Sequence, residues 1–120
     1  MKRWIIVCGV ILGVAILVLA WLALDDFIGL PPGSVTITRI SLTHRRIVQF
    51  VRSHKQLPHS LSDLPIVSGY DNSVIDEWGR MIMYEASPSG DITLTSLGRD
   101  GKVGGSGKDK DLIDSFSISP

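Results

Sequence analysis

The sequence predicts an α+β protein, in which an N-terminal transmembrane helix precedes an amphipathic helix that packs on a small antiparallel sheet. Three observations lead to this prediction. A long uncharged apolar run lies near the N-terminus, apolar residues at helical spacing follow it, and two alternating segments are then joined by Ser-Pro-Ser-Gly. A glycine-rich loop with three aspartates completes the predicted fold on the C-terminal side.

The apolar run extends from Ile5 to Leu24 without a charge. At about 1.5 Å per residue it reaches about 30 Å as a helix, which is the thickness of a hydrocarbon core. The basic pair Lys2-Arg3 precedes the run and the acidic pair Asp25-Asp26 follows it. Because basic residues favour the cytoplasmic side, we expect a single-pass protein whose C-terminal domain lies outside the cytoplasm.

A cleaved signal peptide is the alternative interpretation of this run. The hydrophobic region of a signal peptide has about 7–15 residues and ends in a small-x-small cleavage site. Ala20 and Ala23 have the wrong spacing for such a site. The sequence therefore favours an anchor that stays attached.

The motif Pro31-Pro32-Gly33 separates the anchor from the rest of the chain. Proline removes a helical donor and disfavours helix in the residue before it, so the motif interrupts any helix that leaves the membrane. We therefore divide the chain into a transmembrane anchor at residues 1–26, a Pro/Gly break at residues 27–33 and one domain at residues 34–120. That domain is near the low end of typical domain sizes.

After the break, the sequence predicts an amphipathic helix that runs towards Lys55, with Ser34 or Thr36 as its N-terminal cap. Val35 and Ile37 alternate with threonines, so a short extended piece is an alternative at this point. Arginines 45, 46 and 52 are expected to point away from the apolar face. The residues of that face are Ile40, Ile47 and Val51, with Val48 and Phe50 on the flank.

Two strands are predicted at Arg80 to Ala86 and Asp91 to Leu97, because apolar residues alternate with other side chains in both. The segment Ser87 to Gly90 joins them as a hairpin connection, and Leu112 to Ile118 is a candidate third strand. Before the sheet, Ser60 to Leu64 reads as a short helical turn under a serine cap.

The loop after the second strand carries Asp100, Asp109 and Asp111 among five glycines. A hard dication takes six to eight oxygen ligands from carboxylates, main-chain carbonyls and water, and the loop must fold tightly around it. Glycines permit such folding, because they adopt positive φ without Cβ strain. These residues predict calcium as the cofactor, although residue types do not identify the metal beyond a hard cation.

Other sites match this loop less well. Zinc is disfavoured, because Cys8 and the three histidines lie far from the loop in sequence. An EF-hand that starts at Asp100 has Lys102 and Gly104 where Asp or Asn is needed, and Asp111 rather than Glu at the twelfth position. A solvated connection without metal, in which lysines 102, 108 and 110 neutralise the aspartates, remains an alternative.

Several motifs between Asp76 and Ile113 agree in order with a known family. This part of the chain resembles the C-terminal half of the type II secretion major pseudopilin, the G family. The motifs are Asp76-Glu-Trp-Gly-Arg80, a tyrosine four residues later, Gly90-Asp-Ile92, Ser96-Leu-Gly-Arg-Asp-Gly-Lys102, Gly104-Gly-Ser-Gly107 and Asp109-Lys-Asp111.

The resemblance implies a structural protein of the cell inner membrane that contacts other pseudopilin or secretion-apparatus subunits. It also implies that calcium fixes the end of the sheet. By motif, the side-chain ligands are Asp100, Asp109 and Asp111, and main-chain carbonyls come from Leu97 and Lys102.

The N-terminus departs from the family pattern. A prepilin peptidase site has Gly then Phe and a glutamate at the fifth mature position, whereas Val10 follows Gly9, Val14 follows Gly13 and the apolar run contains no acid. In the family, one unbroken helix also leads from the membrane into the domain. The alternative function is therefore a stand-alone, membrane-tethered calcium-binding interaction module that does not form filaments.

Composition excludes other classes of function. Twelve basic and twelve acidic residues give a net charge of zero, which removes the electrostatic basis for a nucleic-acid partner. No Ser/His/Asp or Cys/His set is evident, so neither an enzyme nor a small-molecule substrate is expected.

Overall fold

The structure is a computed structural model that describes residue 11, residues 13–20 and residues 29–119. Contacts divide the chain into two compact units, Met1–Pro31 and Pro32–Pro120. In the first unit, residues 13–20 are helical. None of the helices among the described residues is long and apolar enough to span a membrane. Most of the predicted span from Ile5 to Leu24, with both charged flanks, lies outside the described residues, so the anchor stays a prediction.

Helix α1, Ser34–His54, is the long helix of the second unit. Its apolar residues recur at intervals of three and four, which places them on one face, and that face is buried. Gly33 is the N-cap residue, with a φ of 85°, and it has no side chain with which to cap the helix. The predicted cap at Ser34 or Thr36 is therefore wrong, and so is the extended alternative for Val35 and Ile37, since all four residues are helical.

The sheet has three antiparallel strands in the order β1, β2, β3. The strands are β1 (Met83–Ala86), β2 (Asp91–Ser96) and β3 (Leu112–Ser117). The predicted strands are confirmed, but each is shorter than its apolar pattern. Before β1, an isolated bridge joins Ile75 to Met81.

The core lies between α1 and one face of the sheet. Alternation along β2 buries Ile92, Leu94 and Ser96 and leaves the intervening threonines partly exposed. A 3-10 helix, Leu61–Asp63, adds Leu61 to the core, and the N–H of its cap residue Ser60 donates to Asp63 Oδ2 at 3.0 Å. The fold class is thus α+β, with helices and a small antiparallel sheet, as predicted.

Arg46 is buried on α1, contrary to the expectation that it points away from the apolar face. Its guanidinium donates to the main-chain carbonyls of Leu64, Pro65 and Asn72, at 3.3, 3.0 and 3.0 Å. Burial lowers the pKa of Arg46, but each of its three guanidinium nitrogens donates to a carbonyl. This arginine holds the segment between the 3-10 helix and the sheet, and a periodic pattern on one helix does not reveal such a role.

Candidate metal-binding loop

The turn from Asp76 to Arg80 precedes β1 and contacts the end of β2. The carboxylate of Asp76 is buried. Its Oδ1 accepts the N–H groups of Trp78 and Arg80, at 3.0 and 2.9 Å, and its Oδ2 accepts the hydroxyl of Ser96 at 2.8 Å. Because Ser96 is the last residue of β2, Asp76 ties this turn to the point where the glycine-rich loop begins.

Arg80 reaches from the same turn to the first residues of the loop. Its Nη2 donates to the carbonyl of Gly98 and, at 2.8 Å, to the carbonyl of Arg99. Its Nε lies 4.0 Å from Asp76 Oδ2. A side chain at Gly101 would meet this guanidinium, with the Cβ 3.1 Å from Cζ. The carbonyls of Gly98 and Arg99 are therefore oriented towards the guanidinium of Arg80.

The two ends of the loop meet next to Asp109. The N–H of Arg99 donates to the carbonyl of Lys108 at 2.8 Å. Gly98 has a φ of 67°, and a Cβ there would lie 2.7 Å from the carbonyl oxygen of Asp109; at Gly105 the corresponding distance would be 2.5 Å. Both positions require glycine, because a side chain would collide with main-chain atoms.

The three predicted carboxylate ligands differ in their surroundings. Asp100 is exposed, and its Oδ1 accepts the N–H of Lys102 at 3.0 Å. Asp111 is half-buried; its Oδ2 accepts the N–H of Gly104 at 2.9 Å, whereas its Oδ1 is buried without a hydrogen-bond partner. Asp109 faces Arg99, whose Nε and Nη2 donate to its two oxygens at 2.9 and 3.1 Å.

These residues fit a hard cation by the chemistry of their donors. Carboxylate and main-chain oxygens are the ligands that calcium prefers, and the orphaned Oδ1 of Asp111 is a charged acceptor that lacks a donor. Leu97, half-buried, and Lys102, exposed, lie on the same loop. Among the described residues, no three His, Cys, Asp or Glu side chains gather closely enough to hold a metal ion.

Three functional contacts were missed by sequence reasoning. Glu77 accepts the N–H of Gly33 at 2.9 Å, and Arg99 donates to Asp109, but the sequence analysis assigned no role to either residue. It also did not pair Ser96 with Asp76, which is twenty residues away. The alternative of a metal-free loop named lysines as the neutralising groups. In the part of the chain that the structure describes, the aspartate of this loop that forms an ion pair is held by Arg99 instead.

Comparison with known proteins gives one result. The family model of the type II secretion system (T2SS), protein G, matches residues 48–115, which is more than half of the chain and includes β1, β2, the glycine-rich loop and the first four residues of β3. Neither the curated proteins nor the solved structures contain a significant match. The match confirms the predicted resemblance, and the chain therefore belongs to the type II secretion system protein G family, a family of pseudopilins.

Proposed function

We propose that this chain is a membrane-anchored, calcium-stabilised structural subunit of a type II secretion or pilus-like apparatus. Membership of the protein G family supports a pseudopilin-like component that contacts other subunits of the apparatus. The same membership supports a structural rather than an enzymatic role. The anchor and the metal are the two finer parts of the proposal, and each rests on its own observation.

The observation that carries the metal is the unpartnered Oδ1 of Asp111 beside a glycine-rich loop. A buried acceptor without a donor costs about 1–3 kcal/mol, and more when it is charged. Calcium would satisfy it together with Asp100, Asp109 and the carbonyls of Leu97 and Lys102. When bound, the ion supplies positive charge and cross-links the loop, while the chain's own residues hold the loop ends together.

Thermal melting of the full chain in detergent micelles tests the metal. Calcium that binds only the folded state adds RT ln(1 + [L]/Kd), which is about 2.7 kcal/mol at a hundredfold excess over Kd. For a domain of this size, that raises Tm by about 10 °C or more. We expect higher Tm in millimolar calcium than in EDTA, with little effect of magnesium, whose octahedral shell is stricter.

Variants assign the effect to the loop. Asp100→Ala is expected to remove most of the calcium shift, followed by Asp111→Ala and Asp109→Ala, because each deletes a charged oxygen ligand. Lys108→Ala is the matched control, since an ammonium group does not coordinate a cation. Equal Tm in calcium and EDTA, with Asp100→Ala and Asp111→Ala unchanged, would reduce the loop to a solvated connection.

The anchor is supported by the length of the uncharged run from Ile5 to Leu24 and by the charges that flank it. We expect the chain to remain full length and to stay in the membrane fraction. Intact-mass measurement of the purified protein checks this. Loss of residues up to about Ala23, or cleavage after Gly9 or Gly13, would contradict the anchor.

The second candidate function is a membrane-tethered calcium-binding module that does not assemble. One observation favours it: residues 31–33 are not helical, and α1 begins only at Ser34, after Gly33 in the left-handed conformation. In the resembled family one unbroken helix leads from the membrane into the domain, and the break at residues 31–33 departs from that pattern. Electron microscopy of the chain overexpressed in its host membrane decides between the two, because filaments support the first function and their absence supports the second.

A further inference from the structure

Arg99 closes the glycine-rich loop through two groups at once. Its main-chain N–H donates to the carbonyl of Lys108, and its guanidinium donates to both oxygens of Asp109, at 2.9 and 3.1 Å. An arginine guanidinium is not deprotonated in proteins, so Arg99 carries a full positive charge. One cationic residue at the start of the loop therefore holds the residues at its end.

A bound divalent cation would need the same carboxylate oxygens of Asp109. A guanidinium and a metal ion both attract the oxygen lone pairs, and the two-point geometry of Arg99 engages both oxygens. Asp109 must give up at least part of that ion pair in order to coordinate. The other two aspartates carry no such competitor among the described residues, because the ion pairs of the loop involve Asp109 alone.

We propose that Arg99 is an internal cation that closes this loop when metal is scarce and competes with metal for Asp109. It lowers the metal affinity and also reduces how far the folded domain depends on metal. The proposal rests on the proposed calcium site. It predicts that loss of Arg99 lowers the stability of the domain without calcium and increases the stabilisation that calcium provides.

The expected size follows from exposure. Arg99 is 57% exposed and Asp109 30% exposed. Ion pairs at the surface are weak in water, so their removal changes a competing equilibrium by about 1.5- to 5-fold. Arg99→Gln is therefore expected to tighten calcium binding by that factor. In EDTA the same variant is expected to melt at a lower temperature than the parent, because the loop loses its only described ion pair.

Five variants of the full chain, in detergent micelles, test this by calcium titration calorimetry and by melting in EDTA and in calcium. Arg99→Gln is compared with Lys108→Gln, which removes the same charge from an exposed residue that makes no described ion pair. Arg99→Lys keeps the charge but loses the two-point geometry, and an intermediate affinity is expected. In an Asp109→Asn background, Arg99→Gln is expected to have no further effect on affinity.

The outcomes separate this proposal from the proposed function. Tighter binding in Arg99→Gln, with lower Tm in EDTA and no such pair of changes in Lys108→Gln, supports it. Calcium binding to the parent with equal affinity in Arg99→Gln overturns the role of Arg99 and leaves the calcium site standing. Equal effects of Arg99→Gln and Lys108→Gln indicate general charge only and also overturn it. Absence of calcium binding in every variant refutes both proposals.

Discussion

Glu77 and Thr36 exchange hydrogen bonds that join the turn before β1 to the first turn of α1. The hydroxyl and the N–H of Thr36 donate to Glu77 Oε2, each at 3.3 Å, and the N–H of Glu77 donates back to the same hydroxyl at 3.0 Å. Glu77 Oε1 also accepts the N–H of Gly33 at 2.9 Å. The first turn of α1 is thus capped by a side chain from the turn that precedes β1, and a carboxylate also suits the positive end of the helix dipole.

Replacing this cap is expected to destabilise the domain. Glu77→Ala leaves the N–H groups of Gly33 and Thr36 without their acceptor, and loss of an N-cap side chain costs about 0.5–2 kcal/mol. Urea unfolding of the full chain, followed by circular dichroism, measures the change. Glu85→Ala on β1 is the control, because Glu85 is an exposed glutamate like Glu77 but its carboxylate accepts no hydrogen bond from the described residues. An equal loss in both variants would show that Glu77 does not act as the cap.

Asp76 is expected to contribute more to the free energy of unfolding than an exposed aspartate in an ion pair does. Asp76 is 2% exposed and accepts three hydrogen bonds. Bonds to a charged group contribute about 1.5–3 kcal/mol each, so we expect Asp76→Ala to lower the free energy of unfolding by at least about 2 kcal/mol. The control is Asp71→Ala, because Asp71 is 44% exposed in its ion pair with Arg39; its loss is expected to be about 1 kcal/mol or less. Similar losses in denaturant unfolding would contradict the role of Asp76.

The two ends of the loop are in such close contact that a side chain at Gly98 would collide with main-chain atoms of Asp109. Gly98→Ala places a Cβ 2.7 Å from main-chain atoms of Asp109, whereas Gly104→Ala meets no atom within 4 Å. Both glycines have positive φ, so both alanines carry the strain of about 1–2 kcal/mol that this conformation imposes. An extra loss in Gly98→Ala is therefore expected from the close contact. Thermal melting in EDTA compares the two, and equal Tm would show that the loop ends move apart without cost.

The acid stability of the sheet is expected to depend on Asp91. Hydrogen bonds from the hydroxyls of Ser117, Ser89 and Ser87 lower the pKa of Asp91, with Ser117 the largest cause, while desolvation opposes them. Because the pKa is lower in the folded state than in the unfolded state, this contribution is present above about pH 4 and is lost as pH falls through the folded pKa. In Asp91→Asn the decline of Tm between about pH 5 and pH 2 is expected to be shallower than in the parent. Parallel curves would mean that another carboxylate controls acid unfolding; the pKa of Asp71 is also lowered, chiefly by Arg39.

The local pattern of the sequence was sufficient to predict the long helix, the strands and the family. The spacing of Ile40, Ile47 and Val51 predicted the buried face of α1, and the alternation of Ile92 and Leu94 predicted the inner face of β2. These predictions succeed because a helix has a period of 3.6 residues and a strand a period of two, so side chains near in sequence share one face. The order of glycines and aspartates likewise sufficed to place the chain in its family.

Only the tertiary structure decided which polar groups meet. Glu77 caps a helix that begins more than forty residues earlier, and Arg46 donates to three main-chain carbonyls. Arg99 donates to Asp109, whereas one buried oxygen of Asp111 has no hydrogen-bond partner. Hydrogen bonds and ion pairs act over about 3 Å and depend on angle, so they follow from how α1, the turn at residues 76–80 and the loop are packed together. Sequence spacing carries no information about such distances between separate segments, which is why the sequence singled out the aspartates of the loop but did not indicate the groups that they contact.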